Sequence, residues 1–445
     1  MPVEKKKSLR RVMYITVSAP FGRAEAFLIP EMLALLRLGV DLVVAPVRPA
    51  RHIYHAEGEI LAARSLRSGW GALAGAVFFW LVRAPARVLR LLAEVFRSAR
   101  WPNNVKNVLV FPKALFMARQ APALQIEHVH AHWASTPSTC AMIVSKLTGI
   151  PWSFTAHRWD IECNNMLAAK VRLAIFTRAI SRRGCGRIAG LVGEALRGRI
   201  VHIPVGVASG HCERPRGAWQ SMDLDCFRVQ SRKDTKGAMT FSATADAASA
   251  ALGFVHPERN RRDALAIAAA GRLVELKGHR YLIRACRLLV DWGIDFSCTI
   301  IGEGLLKAEL QKLIGMLRLA GRVRLGGELP HERLIDLLRN RAFDLLVHPS
   351  ITVPGGEEGV PVVVMEAMAH GVPVVTTATG GIPELAGGGA ALLVPPADPD
   401  ALARAILRLA ADEALAVSLS RRAYEKVRAE YNLERNAARL LELMG

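Results

Sequence analysis

At 445 residues, 51% of them apolar, the chain is too long for a single core and too apolar for disorder, so two globular domains are expected. Its formal charge of +20 is lopsided: residues 1–210 hold 29 Lys+Arg against 11 Asp+Glu (+18) and the rest 30 against 28 (+2), which aims the first half at an anionic partner such as phosphate, acidic lipid or nucleic acid. Seven scattered cysteines (Cys140, Cys163, Cys185, Cys212, Cys226, Cys286, Cys298), with no Cys-x-x-Cys pair and no zinc-type histidine spacing, exclude a disulfide scaffold and fit a reducing cytoplasm.

In chain order, the basic start "MPVEKKKSLRR" leads into "VMYITVS", too short for a secretory apolar region and predicted as a strand. An amphipathic helix, "RAEAFLIPEMLALLRLG", and a strand, "VDLVVAPV", complete a βαβ unit and imply a parallel sheet. The alternation resumes with "EHVHAHW" (strand), "PSTCAMIVSKLTG" (helix) and "IPWSFTAH" (strand). Between them, residues 60–120 form a basic helical insertion. Its apolar run from Gly71 to Val82 is short of the ~20 residues of a membrane span. Leu81, Val88, Leu92, Val95 and Phe96 fall on one stripe, with Arg83, Arg87, Arg90 and Arg97 around it and Trp70, Trp80 and Trp101 punctuating it. Two readings stand: an interfacial helix on an anionic membrane, or an amphipathic helix packed on the protein's own core.

Residues 211–262 lack periodicity and read as a linker or insertion, dividing a first domain (1–210) from a second (263–445). The second is a clean alternation of short apolar strands and helices, ending in two amphipathic helices from Pro399 onward. Strands buried on both faces mean a doubly wound parallel sheet, and α/β lobes of this kind bind ligands at the carboxyl ends of their strands. The expected fold class is therefore α/β, with two Rossmann-like lobes facing a central cleft.

Two stretches of the second half carry chemistry. In "AGRLVELKGH", Gly271 and Arg272 end a strand and Lys277 opens the next helix, so a guanidinium, an ammonium and free amides can clamp a diphosphate without a metal. In "EEGVPVVVMEAMAHG", Glu358 precedes a helix expected near Val360 and Glu366 lies inside an apolar helix, where a charge needs partners. A carboxylate accepting two hydroxyl hydrogen bonds suits a sugar or ribose. "IGEG" (301–304) lacks the third glycine of a dinucleotide fingerprint.

The Glu-x7-Glu spacing, preceded by "GRLVELKG" and followed by "TGGIPEL", resembles the donor lobe of glycosyltransferase family 4, over residues 266–443. These are retaining enzymes with two Rossmann lobes (GT-B), and the pattern is most similar to those assembling exopolysaccharide. More loosely, "AEAFLIPEMLAL", "HVHAHWA", "FTAHRWDI" and "VHIPVGVA" resemble the family's first lobe. The resemblance implies C-terminal helices that cross back to that lobe. It implies that Arg272 and Lys277 hold the donor diphosphate, that Glu366 binds the ribose, and that Glu358 with the amides of Gly359 and Val360 engages the transferred sugar. His157 would contact the sugar or its phosphate, and Gly22, assisted by Arg23, would let the first loop approach the diphosphate, although the family's usual glycine pair is here one Gly. Neither metal nor cofactor is implied, since the nucleotide-diphosphate sugar is a substrate. The implied partners are that donor, a glycan or lipid-linked acceptor, and an anionic membrane met peripherally on its cytoplasmic face. An epimerase or hydrolase on the same lobes is the alternative enzyme. A nucleic-acid binder, prompted by the charge, lacks a recognisable module.

Overall fold

The computed structural model describes residues 11–22, 25–50, 52–53, 57–208 and 264–445. Arg23 and the segment 211–262 lie outside these. Two compact units comprise residues 1–206 with 433–445, and residues 207–432.

The first unit runs β1 (Arg11–Thr16), α1 (Ile29–Arg37), β2 (Asp41–Pro46), α2 (Gly58–Ala63), α3 (Trp70–Arg83), α4 (Pro85–Val95), α5 (Trp101–Ala123), β3 (His128–His132), α6 (Thr136–Thr148), β4 (Trp152–Ala156), α7 (Arg158–Cys163), α8 (Leu167–Leu173), β5 (Thr177–Ala179), α9 (Arg182–Val192) and β6 (Ile200–His202). Its six strands are all parallel, in the order β2-β1-β3-β4-β5-β6. Val12 to Ile15 and the whole of β3 and β4 are buried; β1 reads as an apolar run, whereas β3 (HVHAH) and β4 (WSFTA) alternate, their buried His128, His130, Ser153 and Thr155 hydrogen-bonded across the two strands.

The second unit follows with β7 (Leu265–Ala270), α10 (His279–Asp291), β8 (Phe296–Ile301), α11 (Lys307–Met316), β9 (Val323–Gly327), α12 (His331–Arg339), β10 (Leu345–His348), α13 (Val362–Ala369), β11 (Val374–Thr377), α14 (Ile382–Ala386), β12 (Leu392–Val394), α15 (Pro399–Ala411) and α16 (Glu413–Glu430). Its sheet, β12-β11-β10-β7-β8-β9, is parallel and doubly wound. Strand order reverses between β7 and β10, so the loops after these two strands flank the topological switch point.

Three helices, not two, follow Pro399. Asp398 and Asp412 cap α15 and α16 by accepting from the amides of Ala401 and Leu415, both at 2.9 Å. The third, α17 (Leu433–Met444), belongs to the first unit, whereas a division at residue 263 leaves it with the second. Its Leu433, Ala437, Leu440 and Met444 share one face and bury it in the cluster that holds Met32 and Leu35 of α1. Asn436 donates to the Pro204 carbonyl at 3.2 Å.

In the basic insertion, Val88, Leu91 and Val95 of α4 are buried in the first unit's core and Leu92 packs against it. The apolar stripe read from the sequence is thus largely a core face. Leu81 and Phe96 depart from it and are exposed. Among the described residues no single helix is long and apolar enough to cross a membrane; α3 and α4 meet at a bend of 116°.

Candidate functional site

At the second unit's switch point the chain brings Lys277 and Glu358 together. Lys277 ends a short 3-10 turn after β7, Glu358 stands in the loop after β10, and Nζ meets Oε2 at 2.7 Å. The loops are held in contact at backbone level. Gly278 has φ +63°, and a Cβ there would collide with the Pro349 carbonyl. Gly380, after β11, has φ +55° and would collide likewise with the Glu358 carbonyl. Only glycine satisfies both the left-handed backbone and the close approach. The stem of Lys277 lies over Gly271, its Cδ and Cε 3.4 Å from where a Cβ would stand.

Two further side chains converge on the same carboxylate oxygen. Ser350 Oγ donates to Glu358 Oε2 at 3.0 Å and lies 2.9 Å from His348 Nε2, which is itself 3.4 Å from Oε2. Burial works to raise the Glu358 pKa, but the Lys277 charge and the His348 hydrogen bond outweigh it and hold the group well below the usual carboxylate range. Burial and the Lys277 charge lower the His348 pKa, so the imidazole is neutral at pH 7. An ammonium and a carboxylate, nearly buried, therefore stand charged beside a neutral donor–acceptor pair. Such a group can release Lys277 to an incoming anion while Glu358 accepts hydroxyl hydrogen bonds. His348 and Ser350 were missed in the sequence, although polar residues closing the buried strand "DLLVH" were a signal for them.

Arg272 is exposed in the loop after β7, with no ion-pair partner among the described residues. Gly359 and Val360 lead into α13, which begins at Val362 after Pro361 rather than at Val360. Among the described residues no acceptor meets their two amides. Glu366 is nearly buried on α13, and its Oε1 lies 2.6 Å from Nε2 of His331, the first residue of α12. The two acids of the Glu-x7-Glu segment thus serve different partners, Lys277 and His331. The Gly302 and Gly304 of "IGEG" pack against the backbone of Gly271–Leu273, which makes that motif a brace for the β7 loop.

The first unit has its own switch point, between β1 and β3, and a side chain of this chain fills it. The buried Glu25 carboxylate accepts from the amides of Val17 (3.0 Å), Ser18 and Ala19 (2.7 Å), from Ser18 Oγ (2.9 Å), and from the Trp133 indole N–H. Gly22, in the same loop, gives its N–H to the His52 carbonyl at 3.0 Å. His157, at the end of β4, stacks on Trp133 with ring centroids 4.2 Å apart, and its Nε2 lies 2.7 Å from His132 Nε2. Burial pushes the His157 pKa down to about 3, which keeps the ring neutral.

Behind His157 runs a buried chain of polar contacts. His132 Nδ1 lies 2.9 Å from Tyr14 Oη, which donates to Glu31 at 2.7 Å. Arg178, fully buried, meets Glu31 at 2.7 Å and donates to the carbonyls of Ile203 (2.8 Å) and Pro204 (2.9 Å). Asp160 accepts the His157 amide at 2.7 Å and the Ala134 amide, tying the two loops together. Beside it the buried Lys170 donates to the Ala134 and Ser135 carbonyls at 2.9 and 2.8 Å. None of Glu25, Glu31, Asp160, Lys170 and Arg178 was singled out in the sequence. The signal was strongest at Arg178, a charge inside the short strand "TRA".

An ammonium–carboxylate pair thus stands at the switch point of a doubly wound sheet, the place where Rossmann-type lobes bind their ligands. Comparison narrows the class: residues 256–426 match the sequence model described as Glycosyl transferases group 1. The chain is 39% identical over 203 residues to the amylovoran biosynthesis glycosyltransferase AmsK of Erwinia amylovora, covering 43% of this chain and 49% of that one. It is 38% identical over 188 residues to the putative colanic acid biosynthesis glycosyltransferase WcaL of Escherichia coli K12, covering 40% and 45%. The chain spans about half the length of these curated relatives. In fold it is similar to Anabaena Alr3699/HepE, solved with UDP-glucose, at a TM-score of 0.63 and 18% identity over 97% of this chain and 98% of that one. Two Rossmann-like lobes of the GT-B class are the fold.

Proposed function

We propose that the chain is a retaining glycosyltransferase that moves a hexose-type sugar from a nucleotide-diphosphate sugar to a hydroxyl of a glycan or lipid-linked oligosaccharide. The biosynthetic names of its relatives support cell-surface polysaccharide assembly as the setting. The observation that carries the assignment is the Lys277–Glu358 contact at the β7/β10 switch point. Lys277 and the exposed Arg272 neutralise the donor diphosphate and stabilise it as its charge grows in an oxocarbenium-like transition state. Released from Lys277, Glu358 accepts hydroxyls of the transferred sugar, with the open amides of Gly359 and Val360 beside it. Glu366 binds the ribose, and His331 holds its carboxylate in place. The neutral His157 of the first unit contacts the sugar or its phosphate. The acceptor hydroxyl attacks as the diphosphate departs, and its proton passes to a phosphate oxygen. The work is cytoplasmic, with peripheral contact to an anionic membrane.

A thermal-shift panel of UDP-, GDP- and ADP-sugars tests the donor assignment. One nucleotide class should raise Tm, equally with and without EDTA, because side-chain cations hold the diphosphate. No shift with any of the three, or transfer that strictly requires Mg²⁺ or Mn²⁺, would overturn it.

A further inference from the structure

Helix α3 carries no charge from Trp70 to Val82 and is apolar all the way round. One side, with Ala76 and Trp80, is buried, and the Trp80 indole donates to the Leu115 carbonyl of α5 at 3.0 Å. The opposite side carries Gly71, Ala74, Phe78, Leu81 and Val82 at helical spacing and faces solvent: Phe78 is 71% and Val82 67% exposed, and Trp70 at the helix start 89%. A helix apolar on both faces is ordinarily covered on both.

Where that bare face ends, the bend between α3 and α4 opens a cavity of 810 Å³. Arg83, Arg87 and Arg119 line it together with Phe79 and Trp80, and no carboxylate does. The Arg119 guanidinium stacks over the Phe79 ring at 4.9 Å. Among the described residues none of the three arginines has an ion-pair partner, and all three are exposed. From residue 65 to 123 there are nine Lys+Arg and a single acid, Glu94, which is committed to Lys146 at 2.6 Å. Three unpaired guanidiniums over a roomy pocket, next to an uncovered apolar helix face, match a ligand whose phosphate adjoins its hydrocarbon.

We infer that the α3–α4 bend binds the phosphate headgroup of an anionic membrane lipid, with the bare face of α3 lying in the hydrocarbon boundary of the leaflet. The site gives a location and a chemistry to the peripheral contact proposed above, on which it rests; it does not depend on the donor assignment.

Co-sedimentation of the full chain with phosphatidylcholine vesicles, with and without phosphatidylglycerol, tests it. The protein should bind only the vesicles containing phosphatidylglycerol, with a blue shift of Trp70 fluorescence that Trp70→Phe removes. The triple variant Arg83→Gln/Arg87→Gln/Arg119→Gln should bind on the order of 100-fold more weakly, as three basic contacts to an anionic surface imply. Phe78→Asp/Val82→Asp should also abolish binding, and because both positions are exposed its Tm should match the wild type. Soluble glycerol 3-phosphate should not displace the protein from vesicles. Equal binding to both vesicles, full binding by the triple variant, displacement by glycerol 3-phosphate, or a dimer that Phe78→Asp/Val82→Asp dissolves in a protein that ignores vesicles would each overturn the inference. The nucleotide-sugar panel run on the same variants reports separately on the donor site.

Discussion

The two units answer the same topological question differently. Each has a parallel six-stranded sheet whose order reverses once, and at each reversal two loops offer backbone amides and polar side chains. In the second unit the point is occupied by a Lys277–Glu358 pair whose members can part to meet a ligand. In the first, a carboxylate of the chain itself, Glu25, already saturates the amides of Val17, Ser18 and Ala19. The neutral His157 stands one loop away, backed by a fully buried ion pair. The same architecture thus yields one adaptable site and one prefilled scaffold.

The contrast breaks most visibly at Arg178. Arg178→Met leaves the buried Glu31 carboxylate without its cation and takes a donor from the Ile203 and Pro204 carbonyls, of which only Pro204 keeps a second donor, Asn436, so urea unfolding should show a loss of about 3–5 kcal/mol. Arg178→Met/Glu31→Leu should recover much of it. A single-variant loss below about 1 kcal/mol would show that the buried pair contributes little. Next comes Lys277→Ala, expected to lower the kcat of sugar transfer by roughly 10²- to 10³-fold; Tm should fall as Glu358 loses its cation, while unfolding stays cooperative. Unaltered kcat and KM would remove Lys277 from the site.

Glu25→Gln sharpens the comparison from the other side. It replaces an acceptor with an amide N–H aimed at backbone donors, and should cost about 1–3 kcal/mol by the same unfolding measurement. Glu25→Ala should empty the nest, so sulfate should raise the Tm of that variant and leave the wild type unmoved; equal responses would count against a prefilled anion site. The smallest effect concerns pH. His157 takes up a proton near pH 3 when folded and near 6.5 when unfolded, so its contribution is complete above about pH 6.5 and falls by up to ~1.4 kcal/mol per pH unit below it. His157→Asn should flatten the stability-versus-pH slope between pH 6.5 and 5 by that amount. An unchanged slope would mean that the folded ring protonates freely.

How much of this was legible depends on whether a signal was local. Strands such as "VMYIT" in the first unit and "DLLVH" in the second announce burial on both faces in a handful of residues, so the two α/β lobes could be read directly. Lys277 and Glu358 were each visible at a strand's carboxyl end, but their contact joins positions 81 apart, and only the strand order decides which loops become neighbours. Glu25 looks like an ordinary helix-start acid, and nothing near it in sequence says that Trp133 will close over it. The stripe of α4 was correctly seen as apolar. Periodicity identifies such a face without identifying its cover, and here the cover proved to be the first unit's own core. For the same reason α17 reads as an amphipathic helix and gives no hint of the unit on which it lands.

That last helix has a consequence for dissecting the molecule. Val207 donates to the Tyr431 carbonyl at 2.8 Å, so the segment leaving the first unit and the segment returning to it meet at a single bridge. A fragment ending at residue 206 would be stripped of Leu433, Leu440 and Met444 over α1 and of the Asn436 contact at Pro204. The amino-terminal half is therefore a body one wall of which arrives only after the whole second unit has been synthesised, and any attempt to express it alone must carry residues 433–445 along, fused or added in trans.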